Sequence, residues 1–170
     1  MIRKVTSKDV KEIINIIKSV HIKNISNLDN GFLASENLSE DYYIKMINDY
    51  DYYYVCEMEN NIKGFLLAYS KKFIKRDGEI GSYLLDKYKG EDFIYIFQIA
   101  VDPNCQNRGI GKALYEKLFN EAKIKKFKVI TSKEPLNKAS RLFHQSLGFK
   151  DADTFVWSDG IKSYVYNYEK

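Results

Sequence analysis

The chain has little cysteine and no long apolar run, and both absences exclude classes of protein. Only two cysteines, Cys56 and Cys105, occur among its 170 residues. Neither lies in a CxxC pair or beside a histidine, so we expect neither a metal site nor a disulfide framework. No apolar run approaches the roughly 20 residues of a membrane-spanning helix, and no apolar segment of a signal peptide follows the first residues. We therefore expect a cytoplasmic protein with no membrane partner.

The composition is that of a folded protein with a small positive charge. Hydrophobic residues make up 45% of the chain and charged residues 29%, as in globular proteins and unlike disordered chains. No repeat, low-complexity tract or linker divides the chain, so we predict a single domain over residues 1–170. The net charge is +4, but no interleaved basic pattern indicates a nucleic-acid surface, and we expect no nucleic-acid partner.

The succession of apolar patterns predicts an α/β (α+β) fold, with a mixed, mostly antiparallel twisted sheet of about seven strands and about four helices. A hairpin is expected over Tyr52–Tyr69, and a central strand, buried on both faces, over Phe93–Val101. Lys71–Gly90 is polar and glycine-dotted, so we expect a long excursion between strands there. The predicted helices are Val10–Val20, Ser39–Asp49, Gly111–Lys123 and Asn137–Leu147.

The stretch NCQNRGIGKAL, Asn104–Leu114, is a candidate phosphate-binding loop between a buried strand and a helix. A Walker A loop needs glycine at Gln106 and a hydroxyl residue at Ala113, and a GxGxxG fingerprint needs glycine at Leu114. The pattern QxxGxG fits in full over Gln106–Gly111. Glycines let the backbone approach a pyrophosphate, and the N–H groups and dipole at a helix N-terminus favour an anion.

Three segments of the chain resemble one family. The run QIAVDPNCQNRGIGKAL closely resembles the coenzyme A loop of the GCN5-related N-acetyltransferases (GNAT). IRKVTSKDVKEI resembles the family's opening strand and helix, and NKASRLFHQSLGF resembles its closing motif, an Asn that opens a helix ending in Gly-Phe. The segments follow the family's order, so the resemblance covers the whole chain. It implies an acetyl-CoA-dependent N-acetyltransferase whose central strand is splayed for coenzyme A.

The resemblance also implies which residues touch the cofactor. The backbone of Ile99, Ala100 and Val101 would pair with the pantetheine arm, which is compatible with a plain core strand. Asn137 would contact the cofactor near the thioester, cap its helix, or do both. The pyrophosphate cradle would comprise Gln106, Asn107, Arg108, Gly109, Ile110, Gly111 and Lys112.

His144 is the departure from the family's pattern, since Tyr is most common at that position and some members carry His. The resemblance makes His144 a cofactor contact and the candidate general acid for the departing thiolate, and a His packed on a helix face is the alternative. The general base is not identified. No acid lies within Phe93–Val101. Glu91 and Asp92 lie just before this strand and Glu57 lies on the hairpin, and any of the three could act through water.

The resemblance implies direct transfer from acetyl-CoA to an amine, of a small molecule or a protein, in a ternary complex without a metal. A monomer or homodimer is expected. Phe32, Tyr95 and Trp157 are candidate acceptor contacts, and acids at Asp29, Glu36 and Asp41 indicate a cationic acceptor. Segments expected to select the acceptor are Asp29–Ser35, Tyr42–Tyr54, Lys71–Gly90 and the turn near Trp157. A non-catalytic acyl-CoA-binding regulatory module is the alternative, because the strand acid is missing and His144 replaces Tyr.

Overall fold

The computed structural model describes residues 1–27, 29, 31 and 38–170. Its strands are β1 (Ile2–Lys4), β2 (Tyr52–Met58), β3 (Asn61–Ser70), β4 (Ile94–Val101), β5 (Lys126–Ser132), β6 (Lys150–Val156) and β7 (Lys162–Glu169). They form one seven-stranded sheet in the order β1-β2-β3-β4-β5-β7-β6. Only β4 and β5 pair in parallel, and all other pairs are antiparallel. The expected mixed, mostly antiparallel sheet is confirmed.

The described residues form five α-helices, one more than the sequence predicts. They are α1 (Val10–Val20), α2 (Glu40–Asp49), α3 (Glu79–Lys87), α4 (Ile110–Glu121) and α5 (Lys138–Ser146). The additional helix is α3, which lies in the segment expected to be an irregular excursion. Its N-cap is Gly78, without a side-chain cap, and only Leu84 is fully buried, so it lacks the usual sequence signals of a helix. No helix in this described part is long and apolar enough to cross a membrane.

The helices cover both faces of the sheet because side chains alternate along each strand. On β3, Leu66 and Ala68 pack in the cluster that contains the buried side of α4. Their neighbours Phe65 and Leu67 pack on the opposite face, with α1 and α2. The central strands are therefore apolar on both faces, as the sequence indicates for β4.

Strands β4 and β5 part after a short stretch of pairing. Their register runs from Ile94 opposite Phe127 to Ile96 opposite Val129 and then stops. On its other side, β4 continues to pair with β3 as far as Val101. The backbone edge of 97–101 that faces β5 is consequently unpaired with that strand, which is the splayed arrangement expected from the sequence.

Helix α3 is attached to the far end of the sheet by hydrogen bonds and an ion pair. The Tyr83 hydroxyl donates to the Asp153 carboxylate at 2.8 Å, and Lys87 pairs with the same carboxylate at 2.9 Å. At the start of the helix, the Glu79 carboxylate accepts from both the backbone N–H and the hydroxyl of Ser158 at 2.8 Å. These contacts fix α3 between the centre of the sheet and the β6–β7 end.

Gly81, in the first turn of α3, lies directly against the segment that precedes the helix. A Cβ at this position would lie 1.9 Å from the Lys75 carbonyl oxygen. We expect Gly81→Ala to lower the free energy of unfolding by about 1–3 kcal/mol, because the backbone must shift to admit the methyl group. Gly90→Ala is the control, since a Cβ there meets nothing within 4 Å. Denaturant unfolding measures both variants, and equal stability would contradict the packing of α3.

Candidate active site

A cavity of about 1000 Å³ opens where β4 and β5 part. Its walls include the end of β4, the end of β5, the loop before α4 and the first turns of α5. On the opposite side, α2 and residues of the 73–81 segment line it. The cavity therefore extends from the N-terminus of α4 through the opening in the sheet to the face covered by α2 and α3.

Most residues that the sequence indicates as functional line this one cavity. Arg108 is exposed and is not among the lining residues, and Phe32 lies outside the described residues. The lining residues that were expected are Tyr95, Ile99, Ala100, Val101, Gln106, Asn107, Gly109, Ile110, Gly111, Lys112, Asn137, His144 and Trp157.

The loop before α4 has the geometry of an anion cradle. Asn107 and Gly109 both adopt left-handed backbone conformations, with φ of 60° and 78°. No side chain caps the first turn of α4, which begins at Ile110. Because the first N–H groups of a helix have no intrahelical acceptor, they are free to bind a phosphate group. The residues present thus fit the pyrophosphate of coenzyme A.

Gly111 has a second reason to be glycine. A Cβ at this position would lie 2.9 Å from Cζ of the Phe143 ring on α5. The absent side chain lets α5 approach α4 closely. The sequence predicts that both glycines of the loop bind the pyrophosphate. Of the two, only Gly109 has the left-handed backbone that favours glycine.

Asn137 caps α5 and also reaches across the cavity. Its Oδ1 accepts from the Ser140 N–H at 2.9 Å, the N-cap hydrogen bond expected from the sequence. Its Nδ2 donates to the Gly31 carbonyl at 2.6 Å. Asn137 therefore joins the start of α5 to the segment between α1 and α2.

His144 is buried in the wall of the cavity, and both of its ring nitrogens are hydrogen-bonded within the protein. Nδ1 lies 2.7 Å from the Ser140 carbonyl oxygen, which can only accept, so Nδ1 carries the proton. Nε2 lies 2.7 Å from the Tyr115 hydroxyl and accepts from it. Burial lowers the pKa of His144 to about 4, so the ring is neutral at pH 7.

Aromatic rings line the cavity on the side of α2 and α3. Tyr50 stacks on Tyr69 with ring centroids 4.2 Å apart. Tyr69 packs edge-on against Tyr95 at 5.6 Å and tilted against Phe97 at 5.9 Å. Trp157 also lines the cavity, and its Nε1 donates to Ser163 at 3.0 Å.

The acids that line the cavity differ from those that the sequence indicated. Among the described residues, the lining carboxylates are Asp49, Asp77 and Glu79. Asp29 and Asp41 are not lining residues, and Glu36 lies outside the described residues. The segments that carry the three acids were recognised as acceptor-selecting, but no signal in them singled out these positions.

The acids considered for the general base also lie elsewhere. Glu57 bonds to Arg3 at 2.7 Å, and Glu91 lies 3.6 Å from both Lys126 and Lys128. Neither these two acids nor Asp92 is a lining residue. The general base stays unidentified.

The family model described as "Acetyltransferase (GNAT) family" matches residues 21–149. The chain therefore belongs to the GNAT family and is an acetyl-CoA-dependent acetyltransferase. None of the curated protein sequences compared with the chain matches it.

Solved structures share the fold over nearly the whole chain. One is smu.2055 from Streptococcus mutans UA159, with a TM-score of 0.70 and 19% identity over 99% of this chain and 98% of that chain. Another is an N-acetyltransferase from Staphylococcus aureus Mu50, with a TM-score of 0.68 and 20% identity over 99% and 97%. A third is the ribosomal-protein-S18-alanine N-acetyltransferase from Escherichia coli, with a TM-score of 0.67 and 18% identity over 99% and 92%. At such low identity the likeness shows the fold alone.

Asn107 offers a direct test of the cradle. Its side chain is exposed, and Asn, Asp and Gly all tolerate its left-handed backbone. We expect Asn107→Asp to weaken coenzyme A binding about tenfold or more, because it adds a negative charge beside the pyrophosphate. Asn107→Gly, which adds no charge, is the matched control and keeps the affinity within a few-fold. Titration calorimetry measures both, and an Asp variant with wild-type affinity would exclude this loop as the pyrophosphate site.

His144 makes the stability of the fold depend on pH. The unfolded chain binds a proton at this residue near pH 6.5, whereas the folded protein does so only near pH 4. The stabilisation is therefore present above pH 6.5 and is lost as the pH falls towards 4, by roughly 3 kcal/mol. We expect His144→Gln, a neutral side chain able to accept from Tyr115, to lose less stability between pH 7 and pH 4.

Urea unfolding at the two pH values measures this difference, and His21→Gln serves as the control that keeps His144. If His144→Gln and His21→Gln lose equal stability on acidification, the neutral buried state of His144 is wrong.

Proposed function

We propose that this acetyltransferase moves an acetyl group from acetyl-CoA directly to an amine nitrogen, with both substrates bound in the cavity. The observation that carries the proposal is the unpaired edge of β4 next to the cradle of α4. Acetyl-CoA supplies an acetyl thioester, and the chain must hold that thioester where an amine can reach it. Residues from both faces of the sheet line the cavity, so the two substrates can bind on opposite sides of the opening between β4 and β5.

The backbone of Ile99, Ala100 and Val101 binds the pantetheine arm as if it were another strand. Their edge towards β5 is unpaired with that strand, which leaves backbone groups for a ligand. The Val101 carbonyl on this stretch also accepts from Gln106 Nε2 at 3.4 Å. The loop Gln106–Lys112 binds the pyrophosphate through backbone N–H groups and Lys112. These contacts position the thioester, and N–H groups of β4 stabilise the negative charge that develops on its carbonyl oxygen.

The role of His144 as general acid stays a prediction. The hydrogen bonds of its ring limit how it could donate a proton. The one proton that neutral His144 carries is donated to the Ser140 carbonyl. If Nδ1 gave up that proton, Nε2 would have to take up another one from the Tyr115 hydroxyl. Burial raises the pKa of Tyr115 well above its usual value, which opposes that transfer. The arrangement supports His144 chiefly as a residue that holds α4 and α5 together beside the thioester.

The acceptor enters from the side of α2 and α3. The amine must lose a proton before it attacks, because a primary ammonium group has a pKa of about 10. Tyrosine rings and the carboxylates of Asp49 and Asp77 on this side suit a cationic acceptor with apolar parts. Lys45 and Lys75 line the same region, so the charge is mixed rather than uniformly acidic.

Turnover separates this proposal from a non-catalytic acyl-CoA-binding module. We expect release of free thiol from acetyl-CoA with at least one member of a panel that contains 1-aminobutane, 1,4-diaminobutane, benzylamine and peptides with a free N-terminal amine. Mass spectrometry should show the acetylated amine. The Asn107→Asp variant should lose this turnover at low acetyl-CoA concentration, since its affinity for the cofactor is lower. Coenzyme A binding without turnover on any amine would favour the module.

The compartment, the oligomeric state, the single-domain assignment and the absence of nucleic-acid and membrane partners stay predictions.

A further inference from the structure

Two tyrosine hydroxyls on the acceptor side of the cavity have no hydrogen-bond partner and remain accessible. Tyr69 and Tyr95 line the cavity and are only 9% and 6% exposed, and neither hydroxyl bonds to a residue that the structure describes. The fully enclosed atoms without a partner in this part of the chain are Tyr53 Oη, Gln98 Oε1, Thr131 Oγ1 and Tyr166 Oη. The hydroxyls of Tyr69 and Tyr95 are outside this enclosed set, so each keeps some surface with which a ligand in the cavity can bond.

Tyr69 belongs to a group of aromatic rings beside one carboxylate. We call this group the Asp77 pocket, and its residues, all of which line the cavity, are Tyr42, Tyr50, Tyr69, Phe73 and Asp77. The Tyr50 ring stacks on Tyr69 with centroids 4.2 Å apart and meets the Phe73 ring edge-on at 6.2 Å. Aromatic faces attract a cation, and a hydroxyl oxygen accepts a hydrogen bond from it. The pocket therefore offers both kinds of contact to a positively charged group.

The charge that acts on the hydroxyls of the pocket is negative. Burial is the main cause that raises the pKa of Tyr42, Tyr50 and Tyr69, and the charge of Asp77 raises the pKa of each one further. None of the lysines in the described ranges lowers the pKa of any of the three. Although the acceptor side as a whole carries both signs of charge, this part of it favours a cation.

The carboxylate of Asp77 is not neutralised by the protein. Asp77 is exposed, and the neighbouring Arg76 pairs with Asp86 instead, at 2.8 Å. No cation of the described residues forms an ion pair with Asp77. The carboxylate thus stays available to a positively charged ligand in the cavity.

The attacking nitrogen of the acceptor is not the cation that suits this pocket. An amine attacks only in its neutral form, and a carboxylate beside it would stabilise the charged form and oppose the loss of its proton. A pocket that favours a cation therefore suits a second nitrogen, which stays protonated throughout the reaction.

The Asp77 pocket also lies beyond the position proposed for the thioester. The cradle follows Val101, so a pantetheine arm along Ile99–Val101 would run from the cradle back towards Ile96, where β4 and β5 part. Tyr69 lies opposite Tyr95, on the far side of that point. The four residues of strand from Tyr95 to Ile99 span about 13 Å. An acceptor can therefore place one nitrogen at the thioester and another, a few carbon atoms away, in the pocket.

We propose that the Asp77 pocket binds a second, non-reacting ammonium group of the acceptor, so that the preferred acceptor is a diamine. The inference rests on the proposed function and narrows its substrate class. In the reaction a C–N bond forms at the near nitrogen, the C–S bond breaks, the near nitrogen gives up a proton and the thiolate takes one up. The far nitrogen keeps its proton and forms no covalent bond, so Asp77 and Tyr69 bind the acceptor and are not catalytic.

Three four-carbon amines that differ at their far end test the substrate class: 1,4-diaminobutane, 1-aminobutane and 4-aminobutanoate. We expect kcat/KM for the diamine to exceed that for each of the other two about tenfold or more, because only its far end is a cation. Diamines of three, five and six carbons, each compared with the monoamine of the same length, identify the chain length that fits best.

Asp77→Asn and Tyr69→Phe locate the second-cation site. We expect Asp77→Asn to remove most of the advantage of the diamine and to keep kcat/KM for the monoamine within about twofold, because the monoamine has no charge at its far end. Tyr69→Phe should reduce the advantage by less, since it removes one hydrogen-bond acceptor and keeps the ring.

Two matched variants control for the change of residue type. Glu169→Gln removes an exposed negative charge that is not at the cavity, and Tyr53→Phe removes an unpartnered hydroxyl that does not line it. Both should keep the wild-type advantage of the diamine. Because Asp77 is exposed, Asp77→Asn should also leave the melting temperature and the dissociation constant of coenzyme A unchanged.

The contrary results are distinct from one another. If the wild type acetylates no amine at all, the proposed function fails and the inference with it. If it acetylates the three four-carbon amines with similar kcat/KM, the proposed function stands and the second-cation site is wrong. A preference for 4-aminobutanoate would overturn the inference in favour of an anion site. If Asp77→Asn keeps the diamine preference, the cation binds elsewhere, and if it lowers kcat/KM equally for monoamine and diamine, Asp77 acts on the attacking nitrogen.

Discussion

The parting of β4 from β5 after Ile96 is the constraint on which the rest of the site depends. A sheet that continued its pairing would satisfy every backbone group and would leave no space between these strands. Because the strands separate, one edge of Ile99–Val101 faces a cavity instead of a neighbour. The loop that follows β4 then delivers the N-terminus of α4 to the same cavity, so the strand edge and the anion cradle come from consecutive segments of the chain.

The proposed acceptor side depends on a different element, helix α3, which the chain inserts between β3 and β4. Lys71, which follows β3, donates to the carbonyl groups of Tyr88, Lys89 and Glu91 and so closes the segment on itself. Glu79 attaches the other end of α3 to Ser158. The segment 73–81, which ends in the first turn of α3, is thereby held as a wall of the cavity. The central strand and loop therefore form the proposed cofactor side, and this separate segment of the chain forms the proposed acceptor side.

The strand, loop and helix of the proposed cofactor side could be predicted from the sequence because their signals are local. The strand, the QxxGxG loop and the helix follow one another directly in the sequence. The glycine at Gly109 permits the left-handed backbone that the loop adopts there. The proposed acceptor side could not be predicted from the sequence, because its residues come together only through tertiary contacts. Helix α3 has no side-chain cap at its N-terminus, and Gly111 is required by Phe143 on another helix. Asp49 and Asp77 reach the cavity only because α2 and α3 are folded over it.

Some polar groups of the cavity wall are hydrogen-bonded within the protein, and others have no partner there. His144 and Asn137 use their polar atoms within the protein, so removing either would break internal contacts. The first turn of α4 lacks a side-chain cap, and the end of β4 lacks a strand partner on the side of β5. Both elements line the same cavity. These two elements offer backbone N–H groups to an anion at the helix and an open strand edge to an extended amide chain, and coenzyme A contains both kinds of group, which is why the proposed function assigns it to this cavity.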